Sequence, residues 1–134
     1  FQPDYFKQMA GLTYYYNTTQ YYYFRISHDE ELGKMLAILS CDNGEYSEPF
    51  AYVKLPESGK VWLKMEGHFE TVTFLYSLDG VSYKQYGKDC DALRISDEHI
   101  DTTAFTGAFI GICVQDMSGF SKYADFEYFE YIEK

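Results

Sequence analysis

Long apolar runs, basic charge, proline and closely spaced cysteines are all scarce in this 134-residue sequence. No apolar stretch approaches the roughly 18 residues that a spanning helix needs. Lys and Arg number 11 against 21 Asp and Glu, giving a formal net charge of −10. Nucleic-acid phosphates must be neutralised by basic side chains, so that class of partner is excluded. An anionic membrane surface is disfavoured for the same reason. With three Pro, ten Gly and 46% hydrophobic residues, the chain is neither disordered nor collagen-like. A chain of this length buries about two-thirds of its unfolded surface, enough for one core, and residues 1–134 read as a single domain.

The three cysteines, Cys41, Cys90 and Cys113, lie 49 and 23 residues apart. That spacing fits neither a zinc site nor a disulfide scaffold, so free thiols are expected. Cys113 sits in the apolar run Phe109 to Val114 and reads as a small core residue. His28, His68 and His99 are isolated from one another, with no H-E-x-x-H arrangement, so neither a metal nor a cofactor is expected. Asn17-Thr18-Thr19 matches a glycosylation sequon but reads as a polar turn between two Tyr-rich strands.

Aromatic residues are plentiful: 15 Tyr, 11 Phe and one Trp make up 20% of the chain. Helical periodicity is almost absent. Instead, short β-branched and aromatic segments bounded by Gly, Asp, Asn and Pro recur along the whole length. Strands are predicted near 7–16, 20–28, 34–41, 49–55, 60–66, 69–77, 82–86, 107–115 and 122–133, with a long loop near 91–101. Tyr22, Phe24 and Ile26 alternate with Tyr21, Tyr23 and Arg25, giving each strand two chemically different faces. Asp42-Asn43-Gly44 and Asp79-Gly80 supply turn chemistry between strand-like runs. The expected fold is all-β, a two-sheet antiparallel sandwich in preference to a barrel.

Two features could carry function. Asp125, Glu127 and Glu130 lie close together in the predicted last strand, and glycoside hydrolysis needs two carboxyl groups flanking the scissile bond. Asp125 and Glu127 share a face of a regular strand, whereas Glu130 points the other way unless a bulge intervenes. The same alternation describes an ordinary half-exposed edge with Phe126, Tyr128 and Ile132 in the core. The second feature is the aromatic surplus: nine short strands cannot bury fifteen tyrosines without leaving several hydroxyls wet. Tyr14, Tyr16, Tyr21 and Tyr23 are the candidates for stacking on a sugar ring. The Gly-rich run Phe105 to Ile112 lacks the lysine and spacing of a phosphate loop and reads as a buried strand.

Gln8-Met-Ala-Gly-Leu12, Asp29-Glu-Glu-Leu-Gly-Lys34, Val61-Trp-Leu-Lys64, Tyr76-Ser-Leu-Asp-Gly80, Phe105-Thr-Gly-Ala-Phe109, Gln115-Asp-Met-Ser-Gly119 and Ala124-Asp-Phe126 occur in this order. Together they resemble the C-terminal β-sandwich of glycoside hydrolase family 43 β-xylosidases. The resemblance implies a concanavalin A-like jelly roll that follows a catalytic propeller, where the family's catalytic residues reside. No catalytic residue is therefore expected in this chain. It further implies a C-terminal module or fragment that lacks N-terminal strands of the family's sandwich, with an exposed edge suited to a homo-oligomer. Phe105 matches the position from which such a sandwich lends an aromatic ring to the rim of the active-site pocket.

Three functions follow as expectations. The first is a non-catalytic accessory module of a β-xylosidase or arabinofuranosidase, packing on the propeller and shaping its pocket. The second is an independent module that binds xylan or xylo-oligosaccharides through exposed tyrosines. The third, least favoured, is an autonomous glycanase using Asp125 and Glu127. Unpaired cysteines suit a reducing bacterial cytoplasm.

Overall fold

The computed structural model describes residues 1–92 and 109–132. Its strands are β1 (Gln8–Asn17), β2 (Gln20–Asp29), β3 (Gly33–Asp42), β4 (Glu45–Ser47), β5 (Val53–Lys54), β6 (Trp62–His68), β7 (Thr71–Ser77), β8 (Lys84–Gln85), β9 (Cys90–Asp91) and β10 (Phe109–Asp116). They form two antiparallel sheets. The larger runs β10-β1-β2-β3-β4 with β5 also on β3, and the smaller runs β6-β7-β8 with β9 also on β7.

Alternation on β2 sends Tyr22, Phe24 and Ile26 inward, where they meet Leu36 and Ile38 of β3 and Val72 and Phe74 of β7. Phe24 is fully buried, edge-on to Phe74 at 5.3 Å and stacked on Tyr86 at 5.7 Å. Such aromatic pairs contribute about 0.5–1.5 kcal/mol each beyond the area they bury. The outward positions Tyr23, Arg25, Met35 and Ala37 are buried as well. Gly11 pairs with Arg25 on one side and Cys113 on the other. A Cβ at Gly11 would stand 2.0 Å from the Phe24 carbonyl oxygen, so only glycine admits this approach.

The Asp42-Asn43-Gly44 turn forms as its chemistry requires. Asn43 and Gly44 take positive φ values of 52° and 81°, joining β3 to β4 in a hairpin. The Asn17 side chain accepts hydrogen bonds from the Thr19 N–H and hydroxyl at 2.9 Å, which makes this segment the polar turn the sequence suggests.

Several predicted boundaries need correction. Residues 121–132 form no strand, although 122–133 alternates like one. Alternation prepares a segment for a sheet, but a strand exists only where a neighbour completes its hydrogen-bond ladder. The predicted strands 49–55 and 82–86 contract to Val53–Lys54 and Lys84–Gln85, while Glu45–Ser47 and Cys90–Asp91 pair unforeseen. The predicted loop near 91–101 lies almost wholly outside the described residues.

Core coverage fades across the larger sheet. Phe24 of β2 pairs with Leu12 of β1, which pairs with Ile112 of β10. Phe24 is 0% exposed, Leu12 is half-buried, and Ile112 is 46% exposed. Ile110 and Val114 share the inward parity of Ile112 and are likewise exposed. Among the described residues, the smaller sheet does not extend over β10, and no strand pairs with its outer edge.

Candidate functional site

The four tyrosines do not converge on one surface. Tyr16 joins the core cluster and is 6% exposed, and Tyr23 is buried on the outer side with its hydroxyl donating to the Cys113 carbonyl at 3.3 Å. Neither ring faces solvent, contrary to the expectation that they would be wet. The reason is packing: Tyr16 shares the inward parity of Leu12 and Tyr14, and the Tyr23 hydroxyl is engaged by Cys113 of β10. Tyr14 is half-buried against the core, and Tyr21 is half-buried and stacked on Tyr15 at 5.7 Å. Burial raises the Tyr14 hydroxyl pKa, with a smaller push from Tyr131. Burial also raises that of Tyr21, helped by a hydrogen bond with Tyr46. Phe105 lies outside the described residues.

The three carboxylates do not assemble either. Asp125, Glu127 and Glu130 are exposed and off any strand, and Glu127 pairs with Lys60 at 2.5 Å. An ion pair this exposed contributes little to stability. The motif Gln115-Asp-Met-Ser-Gly119 proves structural: the Asp116 carboxylate accepts from the backbone N–H and hydroxyl of Ser118 and from the Lys122 N–H. The Ser118 hydroxyl leads these bonds in holding the Asp116 pKa below its usual value. Cys41 and Cys113 are free thiols, and the Cys90 thiol donates to the Lys88 carbonyl at 3.6 Å. Cys113 is half-buried on the outer face, pairing with Gly11, instead of lying in the core. Among the described residues, no group of three or more His, Cys, Asp or Glu could hold a metal ion.

What the sequence did not single out is Arg25. It occupies an outward position of β2 and is 7% exposed, at the floor of an open cleft of about 520 Å³. Its Nη2 donates to Glu48 at 3.4 Å, a long contact, while its Nε and Nη1 have no hydrogen-bond partner. Tyr52 shares Glu48, and that hydrogen bond is the first cause of a raised Tyr52 pKa. Phe6 and Met35 supply apolar walls, and the Asp29 turn closes one end. A charged side chain inside a Tyr-rich strand was the available signal.

The comparisons with known proteins agree with this architecture. A model of the β-xylosidase C-terminal concanavalin A-like domain family matches residues 1–132. The β-xylosidase of Bacillus subtilis (strain 168) is 36% identical over 137 residues, covering 100% of this chain and 26% of that protein. A xylan 1,3-β-xylosidase of a Vibrio species is 31% identical over 134 residues, covering 99% of this chain and 25% of its own length. The crystal structure of a xylan β-1,4-xylosidase from Bacillus halodurans C-125 superimposes with a TM-score of 0.87 at 35% identity, over 91% of this chain and 24% of that one. This all-β sandwich therefore belongs to the family of C-terminal concanavalin A-like domains of glycoside hydrolase family 43 β-xylosidases. The chain spans about a quarter of the length of the relatives it matches.

Proposed function

We propose that this chain is the non-catalytic accessory module of a family 43 β-xylosidase or arabinofuranosidase, packing on the catalytic propeller and shaping its substrate pocket. The observation that carries this reading is the inward face of β10, which the described residues leave exposed. Ile110, Ile112 and Val114 are 39%, 46% and 44% exposed at positions whose parity belongs to a core. Exposed apolar side chains on one strand face are the signature of a surface that another body covers. The relatives carry about three-quarters of their length beyond the matched segment, which supports a neighbour large enough to do so. Phe105 is the ring proposed for the pocket rim, where it would position the leaving-group sugar without moving protons. The free thiols Cys41 and Cys113 support a reducing bacterial cytoplasm as its location.

Phe105→Ala in the β-xylosidase that carries this module should lower turnover on xylobiose while the melting temperature stays unchanged. Equal turnover would remove Phe105 from the pocket. Ile112→Asp should loosen the module from its catalytic domain, read as two separated melting transitions. A single unshifted transition would place the interface elsewhere. The edge of β10, with which no strand pairs among the described residues, also supports pairing with a second copy, which sedimentation at several concentrations would report as a concentration-dependent mass.

A further inference from the structure

We propose that Asn43-Gly44, at the tip of the β3–β4 hairpin, is a site of spontaneous deamidation that the folded hairpin holds shut, and that its product releases β4 from the larger sheet. This modification lies apart from β10 and needs no catalytic domain.

The chain has two asparagines, Asn17 and Asn43. Deamidation begins when the backbone nitrogen of the following residue gives its proton to hydroxide and attacks the side-chain Cγ. The new N–Cγ bond closes a five-membered succinimide as ammonia leaves. Water then opens the ring at one of its two carbonyls, giving Asp or isoaspartate. Crowding at the attacking nitrogen slows the first step. Thr18, β-branched, follows Asn17, whereas glycine follows Asn43. Gly44 is exposed, and a Cβ built on it would meet only the Thr19 methyl within 4 Å, at 3.9 Å, so hydroxide reaches this nitrogen.

The β1–β2 turn holds the reaction back. The Gly44 N–H donates to the Thr19 carbonyl at 2.9 Å, and a carbonyl cannot take that proton, so the bond must open before the nitrogen attacks. The Asn43 N–H donates to Gln20 Oε1 at 2.8 Å, while Gln20 Nε2 donates to Asp42 at 2.7 Å. Gln20 is 1% exposed, so one buried carboxamide clamps both residues that precede Gly44. The Asn17 side chain in turn accepts the Thr19 N–H and hydroxyl, fixing the residue whose carbonyl holds Gly44. Conversion therefore passes through the opened tip and follows the fraction of time it is open.

The product does not close the turn again. Isoaspartate carries the chain through its side-chain carbon, adding a methylene to the backbone and displacing the N–H groups that reach Gln20 and Thr19. Either product also adds a carboxylate between Asp42 and Glu45. Three pairs join β4 to β3: Asp42 with Glu45, Cys41 with Tyr46 and Ser40 with Ser47. Cys41 is 1% exposed, and its thiol faces the Gly44 N–H, so release of the tip uncovers it.

The test incubates the full 134-residue chain in mildly alkaline buffer, with and without guanidinium chloride, and follows residue 43 by peptide mass mapping. Asn43 should convert ahead of Asn17, and about tenfold or more faster in denaturant than in the native chain, the weight of the hydrogen bonds opened. Asn17→Ala, at an exposed turn, should raise the native rate several-fold with the dichroism unchanged, and Gln20→Ala should raise it further. Since Gln20 is buried, Asn17→Ala decides the matter where Gln20→Ala does not fold. Iodoacetamide should label Cys41 several-fold faster in the isoaspartate chain than in the intact one under native conditions. The proposal is overturned by equal conversion in native and unfolded chain, or by none in either. It is equally overturned by a native rate that Asn17→Ala leaves unchanged, or by Cys41 labelling that deamidation leaves unchanged.

Discussion

The Tyr86 hydroxyl donates to the Ala51 carbonyl at 2.8 Å, reaching from the segment after β8 in the smaller sheet to the segment before β5 in the larger. Tyr86 is 2% exposed, its ring lies against Phe24 and edge-on to Phe50, and its backbone N–H donates to the Phe74 carbonyl. One residue thus ties both layers by ring and by hydroxyl. Tyr86→Phe keeps the ring and leaves a carbonyl short of a donor, which should cost about 1–2 kcal/mol in urea unfolding. Tyr86→Ala should cost about 3–5 kcal/mol, because the cavity adds to the lost bond.

Gly11 and Gly67 should respond oppositely to alanine. At Gly11 the new Cβ would meet backbone atoms at 2.0 Å and 2.8 Å, which cannot swing aside as a side chain can. Gly11→Ala should therefore cost about 3 kcal/mol or more by parting β1 from β2. At Gly67 nothing lies within 4 Å. Gly67→Ala should stabilise by about 0.4–1 kcal/mol through a less flexible unfolded chain, read as a small rise in melting temperature.

Stability should fall on the alkaline side. Burial is the first cause raising the pKa of Tyr21, Tyr23 and Tyr86, the last pushed up to about 12. An unfolded tyrosine ionises near 10.0. Above that pH the unfolded chain sheds protons that the fold keeps, so the stabilisation present below pH 10 is lost as pH rises towards the folded values. Lys34 acts in the opposite sense: burial lowers its pKa below 10.5, so its unfavourable contribution fades as pH approaches 10.5. Melting temperatures between about pH 9 and 12, with tyrosinate absorbance followed in parallel, should show the decline, and Tyr23→Phe should flatten it.

Thiol labelling should separate the cysteines. Cys41 is 1% exposed, with burial raising its thiol pKa, and Cys90 is 9% exposed. Cys113 is half-buried on the outer face. Iodoacetamide under native conditions should modify Cys113 first, with mass spectrometry finding Cys41 and Cys90 labelled only after denaturant is added.

Much of this architecture is legible in the residues themselves. The alternation of Tyr22, Phe24 and Ile26 determines which face of β2 enters the core, because successive strand side chains point to opposite faces. Asn43-Gly44 determines the β3–β4 hairpin, because both positions need positive φ. The ordered motifs from Gln8 to Phe126 identify the family. None of these depends on anything distant in the chain.

Tertiary structure alone decides the rest, because it depends on partners far apart in sequence. Residues 122–132 alternate as a strand does, yet gain no ladder without a neighbour. Tyr16 and Tyr23 look as available as Tyr14 and Tyr21 until the core cluster and the Cys113 carbonyl bury them. Arg25 becomes distinctive only when the chain from Glu48 to Tyr52 folds beside it and leaves two of its nitrogens without partners. Burial and pairing belong to the assembled sheets, and local pattern carries no record of them.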